Sequence, residues 1–241
     1  FLPNIVLSVL GIIPYASHTW SIGTEEQFYL VWPVLLKYFK KYKLALMLFI
    51  IVFYRGFSGF LATSFANLIP YKKMINTFWA TFNINCMAIG GIYAILYFQK
   101  SKYLKILYHS VVFYGAMVLV LLLMIKGVII PHFHYEGYSI LFGIIILNFA
   151  TNEKIKISLE NKVLNYLGNI SYGLYMYHPI GIILAITMGT AISFTNNLLL
   201  YPLSLLLTIV IAGISYRYFE SFFLKYKRKF SNVISGNTTH E

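Results

Sequence analysis

Residues 18–33 read HTWSIGTEEQFYLVWP. Two adjacent carboxylates, Glu25 and Glu26, are followed almost at once by an apolar run from Phe28 to Leu36. A run of that kind belongs in lipid, where a carboxylate costs about 2.5–3.5 kcal/mol on insertion scales. A carboxylate kept there faces a protein interior or a watered cavity, so the stretch marks a membrane helix and a candidate site together. Ser21, Glu25 and Tyr29 recur at i, i+4 and i+8 and share one helix face. Glu26 turns about 100° away from it. That face stacks a hydroxyl, a carboxylate and a phenol, as a site for a sugar hydroxyl or an acyl group would. The plainer reading is an interfacial anchor, with Trp20 and Tyr29 in the aromatic belt and the acids in headgroup water.

The rest of the chain agrees with lipid as the solvent. Of its 241 residues 59% are hydrophobic and 11% charged, where an ordinary soluble domain carries about 25% charged residues. A span needs about 20 mainly apolar residues, and several segments reach that length. Lipid leaves a choice between helices and a closed barrel. Long apolar runs without two-residue alternation select helices. The pattern predicts an all-α, polytopic membrane helix bundle with eight spans, at 1–16, 20–38, 44–62, 75–98, 107–125, 136–150, 166–188 and 198–222. A membrane domain over 1–230 and a polar tail over 231–241 complete the organisation. Residue 1 is Phe and the segment 1–15 looks like a span joined partway, so the chain is expected to be the C-terminal part of a longer protein.

Charge sets the orientation. One set of connections collects Lys37, Lys40, Lys41 and Lys43, then Lys100, Lys102 and Lys105, then Lys154, Lys156 and Lys162, then Lys225, Lys227, Arg228 and Lys229; the other holds only Lys72, Lys73 and Lys126. Basic loops stay cytoplasmic, so the first set and the C-terminus are expected on the cytoplasmic side. The same clustering accounts for the net charge of +12 and argues against a nucleic-acid partner. The single cysteine, Cys86, falls inside a span and can form no intramolecular disulfide.

Four further polar clusters interrupt the apolar runs. Ser171, Tyr175 and His178 lie on one face at i, i+4 and i+7, and Pro179 withdraws the helix donor from a carbonyl one turn earlier. A mid-membrane histidine serves as a proton relay or as an interhelical hydrogen bond. Arg217 and Glu220 sit at i, i+3, where a local pair is expected. Arg55 lies halfway along its span and needs a partner or a watered cavity, for which Asn83, Asn85 and, by depth alone, Glu25 are candidates. Gly90 and Gly91 read as a close-packing contact. His132 and His134 lack a third ligand nearby, so no metal site is expected.

Three of these motifs occur together and in order in one family. The chain resembles the acyltransferase-3 family of integral-membrane O-acyltransferases. The first signature, W-S-[LI]-x-x-E-[EQ]-Q-F-Y…P, is similar to Trp20, Ser21, Ile22, Glu25, Glu26, Gln27, Phe28, Tyr29 and Pro33. The second, G-x-[IL]-S-Y-x-L-Y-[LM]-x-H, is similar to Gly168, Ile170, Ser171, Tyr172, Leu174, Tyr175, Met176 and His178, with the proline one place early at Pro179. The closing element is similar to Ser215, Tyr216, Tyr218, Phe219 and Glu220. The resemblance implies a core of about ten helices in a multi-pass bacterial inner-membrane protein. It implies an acyltransferase for groups other than amino-acyl groups, moving an acyl group, usually acetyl, from acyl-CoA to a hydroxyl of a cell-surface or exported carbohydrate. Acyl-CoA would be the donor substrate, no cofactor would be bound, and the carbohydrate acceptor and the bilayer would be the partners. It implies substrate-binding or core roles for Trp20, Ser21, Glu25, Tyr29, Arg55, Ser171, Tyr172, Tyr175, His178 and Glu220. The family's catalytic histidine and arginine motifs lie on its first helices and match no residue here, so this chain alone is expected to be inactive. Asn83 and Asn85 stand where an Arg-x-Asp is common. Two other classes would use the same polar residues: a transporter or flippase for a glycan or lipid-linked substrate, and a structural subunit with interhelical contacts only.

Overall fold

The computed structural model describes residues 2–12, 14–131, 133–191 and 196–230. His132 and the polar tail from 231 lie outside them, as does the metal question for His132. No strand occurs among the described residues. The helices fall into two units, Phe1–Lys156 and Ile157–Glu241.

The first unit holds α1 (Pro3–Leu10), α2 (Trp20–Tyr38), α3 (Lys43–Leu61), α4 (Lys72–Phe82), α5 (Ile84–Phe98), α6 (Leu104–Leu107), α7 (Ser110–Lys126) and α8 (His134–Thr151). Met47, Ile50, Tyr54 and Leu61 form the buried stripe of α3 at helical spacing. Met47 and Ile50 meet Ala88 and Ile95 of α5 in the core, with Trp32 and Leu36 of α2 against them. Of the paired glycines, only Gly91 is a close contact: a Cβ there would lie 2.8 Å from Met47 Sδ, whereas Gly90 faces open space. At the far end Asn148, fully buried, donates to the Leu107 carbonyl at 2.9 Å, and Asn152 donates to the Tyr108 carbonyl at 3.2 Å. These bonds tie the end of α8 to the start of α7 without exposing amide groups to apolar surroundings.

The second unit holds α9 (Lys162–Asn169), α10 (Ser171–Ala191), α11 (Asn197–Ser215), a π-helical turn (Tyr216–Glu220) and α12 (Ser221–Phe230). Small residues let α10 and α11 close on each other: Gly173, Gly181 and Ala185 are buried on α10, and Thr208 and Ala212 on α11.

Among the described residues four segments are long and apolar enough to cross a membrane: Lys43–Leu61, Lys72–Phe98, Ser171–Ala191 and Asn197–Tyr226. At most 28% of any of them is buried inside the chain. Their outward faces carry Phe49, Val52, Phe53, Ile182, Leu205 and Leu206, and only lipid gives such faces an apolar neighbour. The protein is an integral membrane protein. Eight full spans are not what the helices deliver. The expected span at 1–16 stops at Leu10, where Gly11 takes φ +81° and closes the helix, and α7 is 17 residues long. Three expected spans change direction or winding inside. Asn83, at φ +33°, separates α4 from α5; Ile170 separates α9 from α10; the π turn separates α11 from α12.

Candidate functional site

A polar cluster that holds two opposite charges forms where α3, α5 and α8 meet. Arg55 Nη1 lies 3.6 Å from Glu136 Oε1, and Asn85 Nδ2 donates to that same oxygen at 2.8 Å. Glu136 is buried in the first turn of α8, Asn85 is 1% exposed, and the Arg55 guanidinium rests on the Phe133 ring at 4.7 Å. Arg55 therefore has both things its depth demands, a counter-ion and an aromatic face. Its partner is neither Asn83 nor Glu25. Periodicity placed Arg55 at the right depth but could not supply the lateral neighbour, which comes from a helix 81 positions along the chain.

The left-handed break at Asn83 shapes one wall of this cluster. Asparagine is among the few residues that adopt this conformation at small cost. Tyr54 Oη donates to the Asn83 side-chain oxygen at 3.3 Å and to the Trp79 carbonyl at 2.9 Å, and Asn83 Nδ2 donates to the Ala80 carbonyl. The indole of Trp79 stacks on Tyr54 and donates to Ser58 Oγ at 2.9 Å. A cavity of about 310 Å³ opens here, lined by Tyr54, Arg55, Asn83, Asn85, His134 and Glu136 among others.

On α2 the predicted column is real but faces outward from this chain. Tyr29 donates to Glu25 Oε1 at 3.0 Å, Glu25 is exposed and Tyr29 is 63% exposed. The neighbouring face packs instead. The Asn4 and Gln27 amides exchange two hydrogen bonds of 2.9 Å, and Thr24 Oγ1 donates to the Thr81 carbonyl at 3.1 Å. Trp20 and Ser21, both partly buried, open the helix, and the Trp20 carbonyl accepts from Thr24.

In the second unit the two remaining clusters close on each other. Tyr177 Oη lies 3.0 Å from Ser215 Oγ, and Ser215 donates to Glu220 Oε1 at 3.1 Å, so the tyrosine is the donor of the first bond. Ser215 and Glu220 are five residues apart, the spacing that a π turn superimposes. Glu220 Oε1 reaches over Gly173, where a Cβ would stand 3.1 Å from it. Glu220 thus does not pair with Arg217, whose guanidinium lies over Tyr218 at 5.6 Å. The polar face of α10 divides. Ser171, Tyr172 and Tyr175 are exposed, while His178 is partly buried with Nδ1 2.7 Å from the Tyr175 carbonyl. Pro179 has no N–H for that carbonyl, and a carbonyl only accepts, so Nδ1 carries the proton. In the neutral ring Nε2 then holds the lone pair.

A family model described as an acyltransferase domain matches residues 2–217, nearly the whole chain. The chain belongs to the acyltransferase-3 family. No curated protein and no solved structure matches it. This membrane acyltransferase assigns its motif residues unevenly. Gln27 and Thr24 of the first signature fasten α1 and α4, while Glu25 and Tyr29 stay available. Tyr177, read only as a spacer in the second signature, joins it to the closing element. Glu136 escaped the sequence reading because it looked like a helix start. The signal was present, since it is the only acid between Glu26 and Glu153. No cluster of three or more metal-ligating side chains occurs among the described residues.

Proposed function

We propose that this acyltransferase moves an acyl group, acetyl in the simplest case, from acyl-CoA to a hydroxyl of a cell-surface or exported carbohydrate. The family match across residues 2–217 carries the reading. In the reaction the acceptor oxygen forms a bond to the acyl carbon, the thioester C–S bond breaks, the hydroxyl proton passes to a general base, and coenzyme A leaves as the thiol. The base needs a pKa near neutrality. In this reading it is the histidine of the family's first helices, which matches no residue of 1–241. Glu25 and Tyr29, hydrogen-bonded together on an exposed face, hold acceptor hydroxyls. His178 and Tyr175 steady the acyl route. The protein sits in the bacterial inner membrane with its C-terminus in the cytoplasm, so that donor and acceptor arrive from opposite sides.

The test supplies radiolabelled acetyl-CoA to inside-out membrane vesicles carrying the natural protein. The expected result is base-labile label on the carbohydrate fraction, reduced at least tenfold by Glu25→Gln. Label on protein or lipid alone, or carbohydrate crossing the membrane without ester formation, would overturn the reading.

A further inference from the structure

At the end of the first unit where α2 turns into α3 lies a cavity of about 280 Å³. Trp32, Met47 and Gly91 form its inner end: a Cβ at Gly91 would stand 2.8 Å from Met47 Sδ and 3.3 Å from the Trp32 ring. Its mouth lies between Lys43, at the start of α3, and Gln99, just past the end of α5. From Gly91 to Gln99 the cavity follows α5 for two turns, about 12 Å at the helical rise. The walls between are Leu36, Ala94, Ile95 and Phe98, and none of these side chains donates or accepts a hydrogen bond. A cavity walled in this way stays dry. A hydrocarbon chain is the occupant it suits.

The mouth has the opposite character. The two connections that reach it, 37–43 and 99–105, contain seven lysines and no acid. Lys43 is partly buried at the rim, and no carboxylate pairs with it among the described residues. Glu25 and Glu26 sit near the far end of α2, and Glu153, beyond α8, is followed by Lys154 and Lys156. The positive charge at this end is thus left for an anion from outside the chain, and basic pockets between membrane helices at this level take lipid headgroups. Lipid also has access. Phe98 of the wall is 81% exposed, and Leu44, beside Lys43, is 43% exposed. A soluble anion would use the lysines and leave the walls bare. A lipid without net charge would use the walls and leave the lysines unanswered. The amide-bearing arm of coenzyme A would find no hydrogen-bond partner along Leu36, Ala94, Ile95 and Phe98.

We propose that this cavity binds an anionic diacyl phospholipid, with one acyl chain lying among α2, α3 and α5 and the phosphate at Lys43 and its neighbouring lysines. The site is separate from the Arg55 cluster and from the Glu25 column, and it does not rest on the function proposed above.

Native mass spectrometry of the purified, delipidated natural protein tests this, by titration with phosphatidylglycerol and with phosphatidylethanolamine of the same two chains. One phosphatidylglycerol per chain is expected to bind roughly tenfold tighter than the ethanolamine lipid. Ala94→Phe, which fills the cavity and keeps every lysine, should raise its Kd about tenfold. Lys43→Gln should raise it about fivefold, the worth of one lysine at a membrane surface, and Lys43→Arg should restore it. Lys154→Gln, outside the cavity, should leave it unchanged. Glycerol 3-phosphate, the headgroup chemistry without chains, and coenzyme A are expected not to displace the lipid. Equal binding of the two lipids would refute the site. So would an Ala94→Phe variant that binds phosphatidylglycerol as the natural protein does, since lysines alone would then account for the attraction. Displacement by glycerol 3-phosphate or by coenzyme A would give the mouth to a soluble anion and overturn the proposal as well. Lys43 stands at a helix start on the rim, where glutamine and arginine are tolerated, so the headgroup arm decides the matter even if a ring at position 94 disturbs packing.

Discussion

Arg55 and Glu136 illustrate what one residue can demand of a membrane fold. A guanidinium halfway along an apolar helix is tolerated only with its charge answered, and here a single carboxylate oxygen answers both it and the Asn85 amide. Removing one member of a buried pair costs about 3–5 kcal/mol, because the other is left uncompensated. Arg55 keeps 30% of its side-chain surface accessible, so solvent offsets part of that cost. Glu136→Gln is therefore expected to lower stability by about 1–3 kcal/mol, and the Arg55→Met, Glu136→Leu double variant to be more stable than either single change at those two positions. A thermal-unfolding double-mutant cycle in detergent reads this directly; equal additivity of the two singles would remove the pair from the account. His178 allows a finer dissection. Its Nδ1–H caps the carbonyl that Pro179 leaves without a donor. Asparagine places an N–H near the same point but has nothing equivalent to Nε2. His178→Asn should keep the melting temperature while His178→Ala loses about 0.5–1.5 kcal/mol, the usual net worth of one hydrogen bond. If both variants melt alike, the ring is not a cap.

At the level of elements, the breaks matter more than the helices. Asn83 turns the chain at φ +33° between α4 and α5, and its side chain both bonds Tyr54 and lines the polar cavity. A left-handed residue with a Cβ costs about 1–2 kcal/mol, least for asparagine and none for glycine. Asn83→Ala is thus expected to destabilise by about that amount and Asn83→Gly by less, in the same melting assay; both variants lose the side-chain bond alike, so the reverse order would mean that the left-handed backbone is not what position 83 requires. Likewise Gly91→Ala must push against Met47 and should cost about 1–3 kcal/mol, while Gly90→Ala should be silent. These contrasts show which features a linear reading reaches. Apolar length marked α2 at its true bounds, 20–38, and α3 to within a residue or so, because lipid imposes one composition along a whole helix. The breaks at Asn83 and Ile170 and the π turn fall within the polar clusters that interrupt the apolar runs, where composition marks a disturbance but tertiary hydrogen bonds select the backbone. Periodicity also told which residues share a face on α2 but not which face turns inward. Ser21, Glu25 and Tyr29 form the column expected of them, yet Gly23, Thr24 and Gln27 make the interior contacts. For the closing element, an i, i+3 pair between Arg217 and Glu220 presumed α-helical winding, and the π turn gave Glu220 to Ser215 instead.

For the molecule as a whole, the arrangement of basic residues and the packing of the first unit can be set against each other. One cavity is lined jointly by Lys43 at the start of α3 and by Phe98 and Gln99 at the end of α5, so Lys43 and Lys100 stand at the same end of that unit. Lys72 and Lys73 open α4, at the opposite end of the α3–α5 pair, and Lys126 closes α7 next to the connection over the Arg55 cavity. Lys154 follows Asn152, which is bonded back to the start of α7, away from Lys126. The two sets of lysines separated by the alternation of loops are thus separated in space within this unit, which a misplaced span would have scrambled. Positive charge is retained on the cytoplasmic side of the bilayer, so the richer set, with Lys43, Lys100 and Lys154, should be internal and Lys72 and Lys126 external. An amine reagent that cannot cross the membrane, applied to intact cells and read by mass spectrometry, should modify Lys72 and Lys126 and spare Lys100 and Lys154 until the membrane is opened. Modification of Lys100 or Lys154 in sealed cells would invert the molecule. It would place the Arg55 cavity on the cytoplasmic side and turn the end that carries Lys43 and Lys100 to the exterior.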